Sequence, residues 1–161
     1  MWNDVQSCLV WPNGKAYLFN GNEYVRYDIQ KDRVDDGYPT PITGNWPGLW
    51  SPAGAGIVWP NGKAYFLRGS EYVRYDITGD RVDEGYPRPI AGNWRGLTLP
   101  PGAFISAATV WPNGKAYLFS GNQYYRYDIQ NDRVDPGYPK PIAGNWPGVP
   151  VAPPGPIIPP H

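Results

Sequence analysis

The chain has 161 residues, with 14 Lys plus Arg against 14 Asp plus Glu and no net charge at pH 7, so no overall field draws it to nucleic acid or to an anionic membrane. Thirteen Tyr, eight Trp and four Phe stand beside 20 Gly and 21 Pro, a turn-rich, ordered all-β composition. No stretch approaches the ~20 apolar residues of a membrane helix, and Met1-Trp2-Asn3-Asp4 lacks the basic-then-apolar layout of a secretory signal.

Internal repetition organises everything else. Residues 11–48, 59–96 and 111–148 align without a gap, and 26 of the 38 positions are identical in all three copies. The shared frame runs W-P-N-G-K-A-Y, then G, Y, R-Y-D-I, D-R-V-D, G-Y-P, P-I, G-N-W and G. Chance does not produce such a frame, so one structural unit occurs three times.

Each copy reads as a β-meander. A run of small or apolar residues comes first: Val5–Val10, Ala53–Val58 and Ile105–Val110, suited to a strand where several sheets crowd around an axis. Cys8, the only cysteine, lies in the first of these runs; it is expected as a small buried residue, with pairing to a second chain as the alternative. Pro-Asn-Gly follows, and Asn-Gly is a strong hairpin signal because both residues tolerate positive φ. The second strand, Lys15-Ala16-Tyr17-Leu18-Phe19, is apolar on both faces, as a sheet covered on both sides requires. A turn at Gly21 leads into Tyr24–Ile29, rich in strand formers. The fourth element, Asp32-Arg33-Val34-Asp35, is short and charged, which protects a sheet edge. Pro39-Thr40-Pro41-Ile42 then admits a turn or a short helical stretch before Asn45-Trp46.

Four short strands per copy, with faces that one copy cannot bury alone, describe a propeller blade. The run N-G-K-A-Y-x-F-x-G-x-x-Y-x-R-Y-D, followed by R-V-D-x-G-Y-P-x-P-I and W-P-G, closely resembles the hemopexin-like repeat; the middle copy departs at Leu67 and Arg95. The resemblance implies an all-β fold of hemopexin-like β-propeller blades: blade 1 about 5–49, blade 2 about 53–97, blade 3 about 105–149, then a Pro-rich tail over 150–161. It also implies an extracellular setting. Where the family's first strand carries Asp-Ala, this chain has Gln6-Ser7, Gly54-Ala55 and Ser106-Ala107.

The family closes with four blades, and this chain has three copies. The shortfall leaves three arrangements: assembly of chains, a longer polypeptide, or an open arc with two apolar faces exposed. A homo-oligomer is expected, because large exposed apolar faces find partners.

Catalysis finds no support in the residues. His161 is the single histidine and terminal, Cys8 has no histidine partner, and no serine sits in a nucleophile elbow. The repeated acids Asp28, Asp76, Asp128, Asp35, Asp83 and Asp135 read as turn caps, or as pairs with Arg26, Arg33 and their counterparts. Haem is not expected, for want of a placed axial ligand. The resemblance places a calcium or sodium ion in a central channel, on the main-chain carbonyls of Gln6, Gly54 and Ser106, weakened here by the absent Asp.

Ligand contact is assigned to the hairpin tips, Trp11 and Asn13, Trp59 and Asn61, and Trp111 and Asn113, because tryptophan faces stack on sugars and cations. Packing between blades is the competing role for these tryptophans. Trp46, Trp94 and Trp146 form a second candidate set, with a covering role over the outer strand the stronger reading. The expected function is a multivalent, non-enzymatic binding module with a glycan as first ligand. The alternatives are a protein-interaction or structural module, or a module binding a polyamine or other small molecule in the channel.

Overall fold

The computed structural model describes residues 1–150 and holds three successive sheets of the same design. The first comprises β1 (Ser7–Val10), β2 (Lys15–Asn20), β3 (Glu23–Asp28), β4 (Arg33–Val34) and β5 (Thr40–Pro41). The second comprises β6 (Ala55–Val58), β7 (Lys63–Arg68), β8 (Glu71–Asp76), β9 (Arg81–Val82) and β10 (Arg88–Pro89). The third comprises β11 (Ala107–Val110), β12 (Lys115–Ser120), β13 (Gln123–Asp128), β14 (Arg133–Val134) and β15 (Lys140–Pro141). The chain is all-β, and each sheet is the expected four-stranded antiparallel meander with a short fifth strand, β5, β10 or β15, added beside the third. The blade boundaries set by the repeats fall around these sheets, while residues 151–161 of the Pro-rich tail lie outside the described residues.

Two local features differ from the sequence reading. Thr40–Pro41 is extended rather than helical: it pairs with the start of β3, Tyr24 opposite Thr40 and Glu23 opposite Pro41. Proline is tolerated there because this short segment is a sheet edge. A single helical turn comes only afterwards, with the N–H groups of Asn45 and Trp46 both donating to the Ile42 carbonyl. The Asn-Gly hairpin is also wider than a two-residue turn. Only Gly14 takes a positive φ, +79°, and Trp11 N–H closes the loop on the Lys15 carbonyl at 2.8 Å. Asn13 acts through its side chain, whose Oδ1 accepts from Lys15 N–H at 3.0 Å.

Lysine 15 staples each meander across its strands. Its ammonium lies 3.0 Å from Asp28 and 2.8 Å from Asp35, and Arg26 Nε reaches the same Asp35 carboxylate at 2.7 Å. The network recurs around Lys63 and around Lys115. Arg26 therefore pairs as the sequence suggests, whereas Arg33 turns to Asp36. Asp28 also caps its turn by accepting from Lys31 N–H. These acids hold the scaffold, and their carboxyl groups are drawn below the ordinary carboxylate value by those hydrogen bonds. Lys31 N–H and then Lys15 lower Asp28, Lys15 and then Arg26 lower Asp35, and the Asn131 main-chain and side-chain donors take Asp128 to about 2.

The sheets pack face to face, inner strand beside inner strand, with β6 between β1 and β11. At the first junction Phe19, Tyr24, Ile42, Trp46 and Leu49 of blade 1 meet Phe66, Val73, Tyr75 and Val82 of blade 2 in one buried cluster. The second junction repeats it with Leu67, Tyr72, Ile90, Trp94 and Leu97 against Leu118, Tyr125, Tyr127 and Val134. A backbone hydrogen bond seals each junction: Val82 N–H to the Pro47 carbonyl at 2.9 Å, and Val134 N–H to the Arg95 carbonyl at 2.8 Å.

Junction packing at the inner strands leaves no slack. A Cβ on Gly56 would stand 2.5 Å from Leu9 Cδ1, whereas the second junction places Ala108 against the cluster that contains Ile57. Gly56→Ala is expected to cost about 1–3 kcal/mol by overpacking, measured by urea unfolding. Adding Leu9→Ile rebuilds the second junction's pair and should return most of that loss. Stability should also fall with acid. The carboxylates have depressed folded values, so their contribution is complete above the ordinary value of 3.8 and is lost as pH drops towards about 2. Thermal melts are expected to be flat near neutrality and to decline steeply below about pH 4.

Candidate functional site

The repeated sheets create a repeated concavity at each junction. The first cradle is lined by Trp11, Tyr17, Tyr24, Arg26, Tyr38, Asn45 and Trp46 of blade 1, with Asp80 arriving from blade 2. The second is lined by Trp59, Tyr65, Tyr72, Arg74, Tyr86, Asn93 and Trp94 of blade 2, with Tyr127 and Asp132 from blade 3. Their volumes are about 150 and 130 Å³. The two sites are the same site, built twice from equivalent positions.

The tryptophan of Gly-Asn-Trp forms the hub. Trp46 contacts Trp11, Tyr17, Phe19 and Tyr24 within its own blade and Phe66 and Tyr75 across the junction, at centroid separations of 5.2–6.0 Å. Trp94 does the same with Trp59, Tyr65 and Tyr72, and with Tyr127 across its junction. The rings meet largely edge to face, the arrangement their quadrupoles favour. The Trp46 indole N–H is buried and finds no hydrogen-bond partner among the described residues. A buried donor left in this state is costly unless something else satisfies it.

The hairpin-tip tryptophans belong to these walls. Trp11 is 8% exposed and Trp59 half-buried, each packed at a junction, while Trp111 is 46% exposed. Trp111 is the most exposed because no further blade stands beside blade 3 among the described residues. Asn13, Asn61 and Asn113 stand just outside: each carboxamide donates to the hydroxyl of Tyr17, Tyr65 or Tyr117, at 3.2, 3.1 and 3.0 Å. They fix a wall tyrosine rather than offering a free amide.

Charge enters the cradle in fixed positions. The Arg26 guanidinium lies 5.2 Å over the Tyr38 ring while its Nε is held by Asp35, and Arg74 repeats this over Tyr86 at 5.1 Å. Asp80 and Asp132 sit in the left-handed region at φ 54°, a conformation aspartate tolerates better than most residues. Their carboxylates accept from Tyr75 and Tyr127 at 2.8 and 2.7 Å. Burial, then the bonded carboxylate, pushes both phenols far up. On the cradle's other wall, burial first and the neighbouring Tyr86 second take Tyr72 up to about 12. All of these phenols are therefore protonated donors at neutral pH.

The residues alone do not single out Asp80, Asp132 or the wall tyrosines: the two aspartates are the equivalents of Asp32, which opens the short charged element read as edge protection. Their only signal was the spacing Tyr-Asp-Ile-x-x-Asp, which puts a second Asp within reach of the tyrosine hydroxyl.

The proposed channel residues fall elsewhere. Gln6 and Ser106 line a cavity of about 270 Å³ on the axis with Ser7, Cys8, Ala55 and Gly56, whereas Gly54 stands beside it. Gln6 Oε1 accepts from Gly21 N–H and Ser106 Oγ donates to the Phe119 carbonyl, so both side chains are engaged locally. No carboxylate lines this cavity. Cys8 is exposed, contrary to the burial expected of it, because the sheet face that carries it has no blade in front.

Comparison with known proteins agrees with the repeats. Matrix metalloproteinase-25 of Homo sapiens is 48% identical over 50 residues, which is 30% of this chain and 9% of that protein. The chain thus spans about a tenth of the curated relatives it matches. Among solved structures, LS24, a seed albumin from Lathyrus sativus, superposes with a TM-score of 0.75 at 23% identity, covering 89% of this chain and 70% of that one. A plant albumin from Cicer arietinum described as showing hemagglutination gives 0.71 at 21% identity, covering 85% and 66%. Likenesses at these identities establish the fold. The hemopexin family model matches residues 6–51, 57–98 and 105–151; with most of its length matched as three consecutive repeats, the chain belongs to the hemopexin family.

Proposed function

We propose that the chain is a non-catalytic carbohydrate-binding module whose sites are the two inter-blade cradles. The observation that carries this reading is the cradle itself: aromatic walls, a fixed guanidinium, a carboxylate and protonated phenols converge twice on the same small volume. Sugars ask for this combination, since their C–H faces pack on aromatic rings while their hydroxyls need both donors and acceptors. At about 130–150 Å³, each cradle lies below the roughly 300–1,000 Å³ of sites for drug-sized ligands. A single terminal ring suits it better than an extended chain. The hemagglutination ascribed to a fold relative supports the same reading.

Two linked weak sites act by avidity on a surface that displays many copies of the sugar. The axial cavity is a poorer candidate for a polyamine, because no carboxylate faces it to meet the cationic groups. A hard cation there would rest on neutral main-chain oxygens alone.

A glycan array followed by titration calorimetry tests the proposal. Binding of a terminal monosaccharide is expected at two sites per described chain. Tyr38→Ala and Tyr86→Ala remove one wall of one cradle each; either should abolish one site, and the double variant should lose agglutination while keeping its far-ultraviolet dichroism. Protein that binds no glycan, or whose glycan binding survives the double variant, would overturn the assignment.

A further inference from the structure

Among the described residues, blades 1 and 3 each present one uncovered face. On blade 1 it is the face that blades 2 and 3 bury at a junction. Phe66 and Leu118 are 0% exposed and Val82 and Val134 are 9% and 5% exposed, whereas their equivalent Val34 is 36% exposed and Leu18 half-buried. On blade 3 it is the face that blades 1 and 2 bury: Leu49 and Leu97 are 8% and 2% exposed, and their equivalent Val149 is 48% exposed. The backbone seal is divided between the same two faces. The Val34 N–H and the Pro147 carbonyl are the donor and acceptor positions of the bonds formed by Val82 with Pro47 and by Val134 with Arg95.

The third cradle is likewise half built. Trp111, Tyr117, Tyr124 and Trp146 assemble as in blades 1 and 2, and Arg126 lies 4.9 Å over Tyr138. Its missing wall is a tyrosine and its aspartate from a following blade. That pair exists on the free face of blade 1, where the Tyr27 hydroxyl donates to Asp32, itself at φ 55°. The Trp146 indole N–H is buried and has no partner among the described residues, as in the first cradle.

We infer that a second copy of this chain docks head to tail, the free face of its blade 1 on the free face of blade 3, completing a third cradle with the partner's Tyr27 and Asp32. The occupant follows from continuity with the two junctions already present, and the inner strands show the fit. Leu9 meets Gly56 at the first junction and Ile57 meets Ala108 at the second. The new junction would bring Thr109 to Cys8: the smaller branched residue stands opposite the larger partner, so the summed volume changes little. This contact is heterologous, pairing the same two kinds of face that join blade 1 to blade 2 and blade 2 to blade 3 within the chain.

Assembly is measured without any sugar, so its failure is separate from failure of the carbohydrate reading; only the third site rests on that reading. Light scattering of the full chain at micromolar to sub-millimolar concentration should give at least twice the 18.0 kDa chain mass. Val34→Asp blocks the head and Val149→Asp the tail, both at positions exposed within one chain. Each variant alone is expected to be monomeric, and an equimolar mixture should form dimers through the one compatible pair of faces. In that mixture half of the Cys8 thiols become protected from a thiol reagent, and in the wild-type assembly glycan sites rise above two per chain. A wild-type monomer across this range, or a V34D chain that still assembles by itself, would overturn the inference.

Discussion

A four-stranded sheet with two apolar faces is not a stable object in water, and in this chain the remedy is always another copy of the same sheet. The junction between blades is thus the interaction from which the rest follows. Its centre is a tryptophan delivered by a single helical turn after the outer strand, set largely edge to face among aromatic rings from its own blade and the next. A backbone hydrogen bond from β9 or β14 to the preceding blade's tryptophan loop closes its rim. Burial of aromatic surface supplies the drive, while the edge-to-face geometry and the seal fix how each sheet is rotated on the last.

The same junction that stabilises the arc also makes the candidate sites. Where the sheets diverge towards the surface, the hub tryptophan, three tyrosines and an arginine of one blade are left facing an aspartate of the next. No single repeat contains a complete cradle, so the cradle walls and the blade packing share residues. The Lys-Asp-Arg network keeps each meander's charged residues occupied: with Asp35 bound by Lys15 and Arg26, the arginine is held over Tyr38 with little freedom left. That restraint lowers the entropy cost of using it in recognition.

The exposure of equivalent residues shows how strongly position in the array matters. Trp11, Trp59 and Trp111 occupy identical sequence contexts yet run from buried to nearly half exposed. The difference arises from which face has a neighbour. Cys8 follows the same rule: its counterparts Gly56 and Ala108 face a preceding blade, and it does not.

Much of the molecule was legible in the residues alone. Repetition fixed the number of sheets, turn chemistry and strand formers fixed the four-stranded meander, and the all-round apolar second strand announced a sheet covered on both sides. The extended Thr40–Pro41 was hidden, because a proline edge pairing depends on a partner strand that local preference does not reveal. The acids of the Lys15 network could be read as scaffold, but not Asp80 as a wall of the first cradle, since that role requires the next blade. Sequence by itself determined what one blade is, through short-range periodicity and turns. Tertiary structure alone decided which tryptophans are covered, which face remains bare and where the cradles lie, because each depends on contacts between positions about fifty residues apart that no local pattern encodes.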